Sequence, residues 1–409
     1  MFSAFLSPPH RGGQTADDSP MLLHGIFPPI TTPFYPDGRV YLKKLEHNVD
    51  RYSKTPASGI VVLGSTGEAI MLSDDERRDV LAVARECCAP HKVLIAGTGA
   101  ESAFETLRWT EYAAKLGYDV ALIRTPHFYR PQMQPANQLT FYRTLADRSP
   151  IPVLIYSVPV FTNYDMPEEL IAELAEHPNL IGIKESSGDV EKVRRLAAST
   201  KHIKRYATVT ETFSAVTPRM LKTARPDGAA KGEELIPVGA LAAGNSESNE
   251  ASHPPTVVTP TTPTRNASTT PGQGVGAAVS SSAAIEMVGG LKTRQKEVGF
   301  QILAGTAQRL QPCLDAGAVG GVLAFSSPAP TACYEIFAAW KEGDPELAKL
   351  KQERVSKAAT RVASQIGIPG VKYALDLNGY YGGPPRLPLL PLTADLKSEV
   401  ERLMLDVRN

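Results

Sequence analysis

Short apolar segments alternate with amphipathic segments along most of the chain. The apolar segments are rich in β-branched residues, as strands are, and the segments between them carry apolar residues at helical spacing. The predicted strands cover residues 25–32, 59–65, 92–99, 120–126, 152–158, 180–186, 300–306 and 317–325. Eight strands that alternate with helices predict an α/β fold, a closed parallel (β/α)8 TIM barrel.

The alternation stops after the sixth predicted helix and returns near residue 299. Residues 245–284 consist mainly of Ser, Thr, Pro, Ala, Gly and Asn, which offer too little apolar surface to offset the entropy of ordering. We therefore predict that residues 206–298 form a long disordered insertion between helix six and strand seven. Such a connection lies at the N-terminal face of a barrel, away from the active site. A regulatory or partner-binding arm and translated non-coding sequence both remain open as its origin.

The remaining segments complete the division of the chain. The predicted parts are a flexible N-terminal tail at 1–24, the barrel at 25–205 and 299–330, and a C-terminal helical region at 331–409. In the last part we expect helices at 332–340, 345–365 and 394–405, with a short turn at 368–377. Within the barrel, Ser73 and Glu76 form a capping box that predicts the start of the second helix.

Composition excludes several classes of function. The 409 residues include 43 Lys and Arg and 43 Asp and Glu, so no charge excess favours nucleic acid or an anionic membrane. No apolar run approaches the roughly 20 residues that cross a bilayer, and no secretory signal is evident. We expect a cytoplasmic protein. A mitochondrial location stays open but is not favoured, because Arg11 stands alone beside Asp17 and Asp18, whereas presequences are rich in arginine and poor in acidic residues. The four cysteines form no C-x-x-C pair, so neither a metal site nor a disulfide framework is expected.

Lys184 is the first candidate catalytic residue, because it ends the apolar run N-L-I-G-I-K of the sixth strand. Strand ends of this kind meet at the mouth of a barrel. Burial there disfavours the ammonium form and leaves a lone pair that can attack a ketone. An isolated strand-final lysine more often extends to solvent, but Tyr156 ends the neighbouring strand at the same level. A phenol in that position can transfer protons during carbon–carbon bond cleavage.

Other strand ends supply candidate binding residues. The second strand ends in G-S-T-G-E at 64–68, where small residues and two hydroxyls can hold a carboxylate or form an ordinary tight turn. The further candidates at strand ends are Ser65, Thr66, Gly67, Ser186, Gly305 and Thr306.

Several motifs in the same order resemble the dihydrodipicolinate synthase and N-acetylneuraminate lyase family, and within it 4-hydroxy-2-oxoglutarate aldolase most. The motifs are G-I-F-P-P-I-T-T-P-F, G-S-T-G-E, L-I-Y-S-V-P, I-G-I-K-E-S-S-G-D, F-Q-I-L-A-G and G-I-P-G-V-K. The resemblance implies that Lys184 forms the Schiff base and that Tyr156 is the catalytic tyrosine. It also implies that Ser65 and Thr66 hold the pyruvate carboxylate and that Ser186 lines the pocket. A homotetramer without a metal or an organic cofactor is implied as well.

The expected activity is that of a class I, pyruvate-forming aldolase. The imine on Lys184 would withdraw electrons, the C3–C4 bond would break, and Tyr156 would take the C4 hydroxyl proton with Thr66 as a relay. We expect cleavage of 4-hydroxy-2-oxoglutarate to pyruvate and glyoxylate. The alternatives are a 2-keto-3-deoxy sugar acid such as 3-deoxyhexulosonate, dihydrodipicolinate synthesis, and a catalytically silent barrel that only binds.

Two departures from the family pattern bear on the substrate. The synthases carry an arginine clamp two residues beyond Y-x-V-P, where this chain has Phe161. The family's second tyrosine, lent by a neighbouring subunit, matches Phe128, so only Tyr129 remains to supply a phenol there. Either Arg124 or Arg130 is left as a partner for a distal carboxylate.

Overall fold

Parallel strands close into the barrel that the alternation predicts. The computed structural model describes residues 20–223 and 286–407. The strands in this part of the chain are β1 (Gly25–Ile26), β2 (Gly59–Val62), β3 (Val93–Gly97), β4 (Val120–Arg124), β5 (Val153–Ser157), β6 (Leu180–Glu185), β7 (Tyr206–Thr210), β8 (Glu286–Val288), β9 (Leu291–Glu297), β10 (Gln301–Ala304) and β11 (Gly320–Gly321). Eight of them pair in parallel in the order β1-β11-β10-β6-β5-β4-β3-β2. A bridge between Pro29 and Val61 joins the first and last of these strands, and each predicted strand segment contains one observed strand.

Helices follow the barrel strands and cover their outer face, and further helices belong to the insertion and to the C-terminal region. They are α1 (Leu42–Ser53), α2 (Asp74–Cys87), α3 (Ala103–Leu116), α4 (Pro135–Arg148), α5 (Pro159–Thr162), α6 (Glu168–Ala175), α7 (Val190–Ser199), α8 (Pro218–Thr223), α9 (Leu310–Asp315), α10 (Pro330–Lys341), α11 (Pro345–Ala358), α12 (Ile368–Leu377) and α13 (Ala394–Met404). The predicted capping box at the start of α2 is confirmed, since Ser73 and Glu76 exchange side-chain to backbone hydrogen bonds. Among these described helices, none is long and apolar enough to span a membrane.

The side chains of β5 alternate between the barrel interior and the helix layer. Leu154 and Tyr156 pack in the interior cluster, whereas Val153 and Ile155 pack in the outer cluster. This period of two is the ordinary strand pattern, and it turns the Tyr156 ring into the barrel.

A β-bulge in β6 sets the direction of Lys184. Val153 of β5 pairs with Leu180, but the next residue pairs with Gly182, so Ile181 is an extra residue. Bulges of this kind shift which face a side chain occupies. Beyond the bulge, Lys184 pairs with Tyr156, and paired residues of parallel strands point to the same side. Lys184 therefore points into the barrel beside Tyr156.

The C-terminal region differs in detail from the prediction. α10 directly follows the eighth barrel strand and contacts β1, so the barrel ends at Lys341 and not at residue 330. The predicted helix at 345–365 is α11 continued by a π-helix, Ala359–Ile366. The predicted short turn is the ten-residue helix α12. Its Pro at the second position fits a helix start, where the missing N–H has no helical partner in any case.

The prediction that residues 206–298 are disordered is wrong for the described ends of that segment. β7, β8 and β9 form an antiparallel sheet in the order β7-β9-β8, and α8 follows β7. Only Ala207 and Val209 of β7 are buried, and they pack against Leu22. So few apolar residues give no period that a sequence window can detect, and the pairing of β7 with β9 joins segments far apart in the chain. Residues 224–285, which include the whole low-complexity segment, lie outside the described residues.

The described part of the insertion lies at the N-terminal face of the barrel, as the topology predicts. Arg219 of α8 is buried, and its guanidinium contacts the backbone carbonyl of Lys92 and, at 3.1 Å, the Asp119 carboxylate. Lys92 and Asp119 immediately precede β3 and β4. Thr217 bonds to the carbonyl of Pro90 on the same face.

The predicted N-terminal tail also ends earlier than expected. Leu22 and Leu23 are buried, and the Leu23 backbone N–H donates to Oε1 of Gln301 at 2.7 Å. These residues complete the bottom of the barrel, so they belong to the fold and not to a flexible tail. Residues 1–19 lie outside the described residues.

Replacing residues 224–285 with a short Gly/Ser linker is expected to leave pyruvate release within about twofold of the wild-type rate, because the segment leaves and re-enters at the N-terminal face. Steady-state kinetics and the melting temperature test this. The matched control replaces all of 206–298, which also removes Arg219 and its contacts and should lower the melting temperature. A folded linker variant without activity would contradict the placement of the insertion.

Candidate active site

Three polar side chains lie in one layer across neighbouring strands at the C-terminal end of the barrel. Arg124 of β4 pairs with Tyr156 of β5, which pairs with Lys184 of β6. Leu122, two residues before Arg124, packs in the interior cluster with Tyr156. By the strand alternation, Arg124 therefore also points to the interior side. The layer presents a cation, a phenol and an amine in sequence.

Lys184 differs from the other buried lysines in having no polar partner. Its side chain is 6% exposed, and its Nζ lies 4.0 Å from the centroid of the Tyr156 ring. Within the described residues, its amine forms no hydrogen bond or ion pair, whereas the other three buried lysines do. Their partners are the carbonyls of Thr55 and Ala57 for Lys92, the carboxylates of Asp165 and Glu185 for Lys192, and the Glu68 carboxylate and Pro384 carbonyl for Lys372. An amine without a competing acceptor is available for reaction.

Tyr156 connects Lys184 to the G-S-T-G-E motif. Its hydroxyl lies 3.0 Å from Oγ of Ser65, within hydrogen-bond distance. The motif folds as a 3-10 turn, Ser65–Gly67, directly after β2, and Thr66 is buried within it. The turn is also held by Thr32, whose hydroxyl donates a hydrogen bond to the Gly67 carbonyl at 2.7 Å. The Ser65 hydroxyl is thus held beside the phenol.

Glu68, which ends the motif, is held by the C-terminal region. It adopts a left-handed conformation with φ 54°, and its carboxylate is buried. Lys372 of α12 lies 2.6 Å from Oε1, and the backbone N–H of Arg386 donates to Oε2 at 2.8 Å. Burial lowers the pKa of Lys372 to about 8, although the Glu68 carboxylate opposes that shift. The turn that carries Ser65 is therefore fixed by a buried ion pair.

Sequence reasoning gave Glu68 and Lys372 no role. The sequence did contain a sign that Lys372 is buried and paired, because Lys372 stands beside Val371 within the largely apolar segment I-P-G-V-K-Y-A-L-D-L. A lysine in that position is seldom buried without a partner.

A cavity of about 320 Å³ opens beside Tyr156, and we call it the mouth cavity. Its lining is mostly apolar, with a few polar and charged groups. The residues that line it are Leu63, Gly64, Ser65, Glu68, Ala69, Ile70, Met71, Arg77, Gly97, Thr98, Gly99, Trp109, Leu122, Arg124, His127, Tyr156, Val158, Phe161, Thr162, Ile368 and Leu389. Phe161 stands at its rim with 59% of its surface exposed. Lys184 lies just behind the lining, against the Tyr156 ring.

A carboxylate, Glu101, organises the charged side of the mouth cavity. Its Oε1 accepts from Nη1 of Arg124 at 2.7 Å, and its Oε2 accepts the backbone N–H groups of His127 and Phe128 at 2.9 Å each. Burial raises the pKa of Glu101, but the hydrogen bonds from Phe128, His127 and Arg124 outweigh it and lower that pKa below its ordinary value. Glu101 is thus an ionised anchor for the loop after β4.

The remaining predicted residues lie farther from this cavity. Ser186 and Gly305 are adjacent, since a Cβ on Gly305 would stand 2.0 Å from Oγ of Ser186. That buried hydroxyl has no hydrogen-bond partner among the described residues. Thr306 lines a separate surface pocket beside Gly188. Tyr129 is 66% exposed and does not line the mouth cavity.

The sequence matches the family model described as the dihydrodipicolinate synthetase family over residues 22–218 and 277–406. The chain belongs to the dihydrodipicolinate synthetase family. The break in the match falls within the insertion, so both halves of the barrel are family sequence.

Curated relatives of this family member are named 4-hydroxy-tetrahydrodipicolinate synthase. The protein from Methanosarcina barkeri is 37% identical over 180 residues, which cover 44% of this chain and 60% of that protein. The protein from Stenotrophomonas maltophilia is 39% identical over 178 residues, which cover 44% of this chain and 59% of that protein. The chain thus spans about 60% of the length of the curated relatives it matches.

Solved structures of dihydrodipicolinate synthases share the fold. The synthase from Bacillus anthracis superposes with a TM-score of 0.67 at 18% identity, covering 95% of this chain and 100% of that one. The chloride-inhibited synthase from Acinetobacter baumannii, solved in complex with pyruvate, gives 0.67 at 22% identity, with 94% and 99% covered. At these identities the likeness concerns the fold.

Proposed function

We propose that this family member is a class I aldolase that forms a Schiff base between Lys184 and a 2-oxo acid and releases pyruvate. The observation that carries the proposal is the Lys184 amine, which is buried against the ring of Tyr156 and has no polar partner within residues 20–223 and 286–407. A buried amine beside a proton-transferring group is the arrangement that imine chemistry needs.

In the proposed reaction, Nζ of Lys184 attacks the C2 carbonyl and water leaves, giving a protonated imine. The C3–C4 bond then breaks, its electron pair moves into the enamine of pyruvate, and the C4 hydroxyl loses its proton as the aldehyde forms. Tyr156 accepts that proton while its own phenolic proton passes to the Ser65 hydroxyl, 3.0 Å away, with Thr66 as a further relay. The same relay returns a proton to C3 of the enamine. Ser65, Thr66 and Gly67 hold the carboxylate of the oxo acid. Protonation of the enamine and hydrolysis of the imine release pyruvate.

As substrate we propose 4-hydroxy-2-oxoglutarate, which gives pyruvate and glyoxylate. Phe161 supports this choice over the synthase reaction, because an apolar ring replaces the arginine that clamps aspartate semialdehyde in the synthases. A 2-keto-3-deoxy sugar acid is the next candidate. Synthesis from pyruvate and aspartate semialdehyde stays a candidate because the curated relatives are named for that product.

A homotetramer is part of the proposal. Phe128 and Tyr129 lie edge to face at the surface, with 74% and 66% of their area exposed in the single chain. Exposed aromatic pairs of this kind are common in subunit interfaces. Sedimentation of the full chain distinguishes a tetramer from a monomer.

Borohydride reduction in the presence of pyruvate tests the chemistry. The folded protein is expected to gain one covalent pyruvate adduct per chain, mapped by mass spectrometry to Lys184. A folded protein without an adduct would leave the silent binding barrel as the better account.

Steady-state rates on the three substrate candidates then test the choice of substrate. A clear preference for aspartate semialdehyde would show that the argument from Phe161 is wrong, while the Schiff-base chemistry would stand.

A further inference from the structure

We propose that Arg124 forms a subsite for a second carboxylate, at the end of the substrate away from the Schiff base. This inference rests on the proposed function, and it selects dicarboxylic 2-oxo acids as the substrate class. The resemblance leaves Arg124 and Arg130 as equal candidates, and the geometry separates them.

The register of the strands sets the distance between the two ends of the substrate. Arg124, Tyr156 and Lys184 are consecutive members of one layer. Neighbouring strands lie about 4.8 Å apart, so the Arg124 and Lys184 backbones are on the order of 10 Å apart. The Lys184 amine lies 4.0 Å from the centroid of the Tyr156 ring, and Arg124 lines the mouth cavity together with Tyr156. A five-carbon oxo acid bound at Lys184 would point its distal carboxylate across the Tyr156 ring toward Arg124.

The guanidinium of Arg124 keeps one edge available. Its Nη1 donates to Glu101 and lies 3.1 Å from Nδ1 of His127. Its Nε and Nη2 form no hydrogen bond with any residue of 20–223 or 286–407, and the side chain lines the mouth cavity. An Nε and Nη2 pair is the fork that binds a carboxylate through two parallel hydrogen bonds.

The carboxylates nearest the mouth cavity are already paired. Glu101 is the nearest carboxylate, but its oxygens already accept bonds from Arg124, His127 and Phe128. Glu68, the other carboxylate in the lining, is paired with Lys372.

Two other arginines compare unfavourably. Arg130 begins an exposed 3-10 turn and does not line the cavity. Arg77 does line the cavity, but its guanidinium carbon lies 5.6 Å from the Trp109 ring centroid and its Nε donates to the carbonyl of Ala69. Arg77 comes from α2, outside the strand layer.

The test compares two substrates that differ only in the distal group. 4-Hydroxy-2-oxoglutarate carries the second carboxylate, and 4-hydroxy-2-oxopentanoate carries a methyl group in its place. For Arg124→Met we expect kcat/KM for the dicarboxylic substrate to fall on the order of 100-fold, as for a lost charged hydrogen bond. The value for the methyl compound should stay within about threefold. Arg130→Met is the matched control and should change neither value.

Each outcome decides the question. Equal losses on both substrates for Arg124→Met, or no loss on either, would overturn the subsite. A selective loss in Arg77→Met instead would overturn the assignment to Arg124. If Arg124→Met does not fold, Arg124→Lys keeps the charge without the fork and should give a smaller loss confined to the dicarboxylic substrate. The pyruvate adduct of the wild-type protein is measured in parallel. If the wild-type protein forms no pyruvate adduct, the proposed function itself is refuted. If the wild-type protein and Arg124→Met both form the adduct, a failed substrate test refutes only the Arg124 subsite.

Discussion

Lys184→Arg is expected to abolish the borohydride-trapped pyruvate adduct and to lower kcat/KM by at least about 10³-fold, because the reaction has no covalent route without the amine. Arginine has a similarly long side chain that can lie over the Tyr156 ring, so the fold should survive. Circular dichroism and the melting temperature check that it does. Any activity left in Lys184→Arg would then come only from binding of the substrate and from the hydroxyl groups around the site.

The controls for this prediction address which lysine reacts. Lys201→Arg, in the exposed turn after α7, should keep both the adduct and the rate. Lys372 is the rival nucleophile, because it is buried near the same motif and its pKa is lowered to about 8. Its amine, however, contacts Glu68 at 2.6 Å and the Pro384 carbonyl at 2.9 Å. An adduct that persists in Lys184→Arg and maps to Lys372 would contradict the assignment.

Burying a lysine amine without a polar partner lowers the stability of the fold. A chain that retains such a lysine is therefore expected to use it for function. Lys92 and Lys192 show the usual solution, in which each ammonium group receives oxygen acceptors. Lys184 has only the face of an aromatic ring, which supplies a weaker attraction than a carboxylate. A buried amine in such an arrangement is a candidate for a reacting group.

The sequence was sufficient for the features that depend on local pattern. Each barrel strand shows a short apolar run, and the start of α2 shows its capping box, so their order could be read along the chain. The pairing of Tyr156 with Lys184 followed from the barrel itself, because strand ends converge at one mouth.

Features that depend on distant contacts could not be predicted. The bulge at Ile181 changes which side the following residues face, and no local pattern signals it. β7 and β9 pair across the insertion with few apolar residues between them. The orientation of Arg124 depends on Glu101, which comes from a different loop. Sequence reasoning could therefore name Arg124 and Arg130 but not choose between them.

The second large effect concerns stability. Lys372→Met is expected to lower the free energy of unfolding by about 3–5 kcal/mol, because it leaves the Glu68 carboxylate buried without its counter-ion. Chemical unfolding at pH 7 measures it, at a pH where Lys372 is still mostly protonated. The matched control is Lys54→Met, which removes the exposed Lys54–Asp50 ion pair and should cost less than about 1 kcal/mol.

The double variant Glu68→Gln/Lys372→Met separates the loss of the ion pair from the penalty of the buried charge. It removes both charges, so it should recover part of the stability lost in Lys372→Met. Because Glu68 fixes the turn that carries Ser65 and Thr66, the single variant should also raise KM for the oxo acid while the pyruvate adduct still forms. A Lys372→Met protein as stable as the wild type would mean that Glu68 is neutralised or solvated without Lys372. The ion pair would then not be what holds the turn in place.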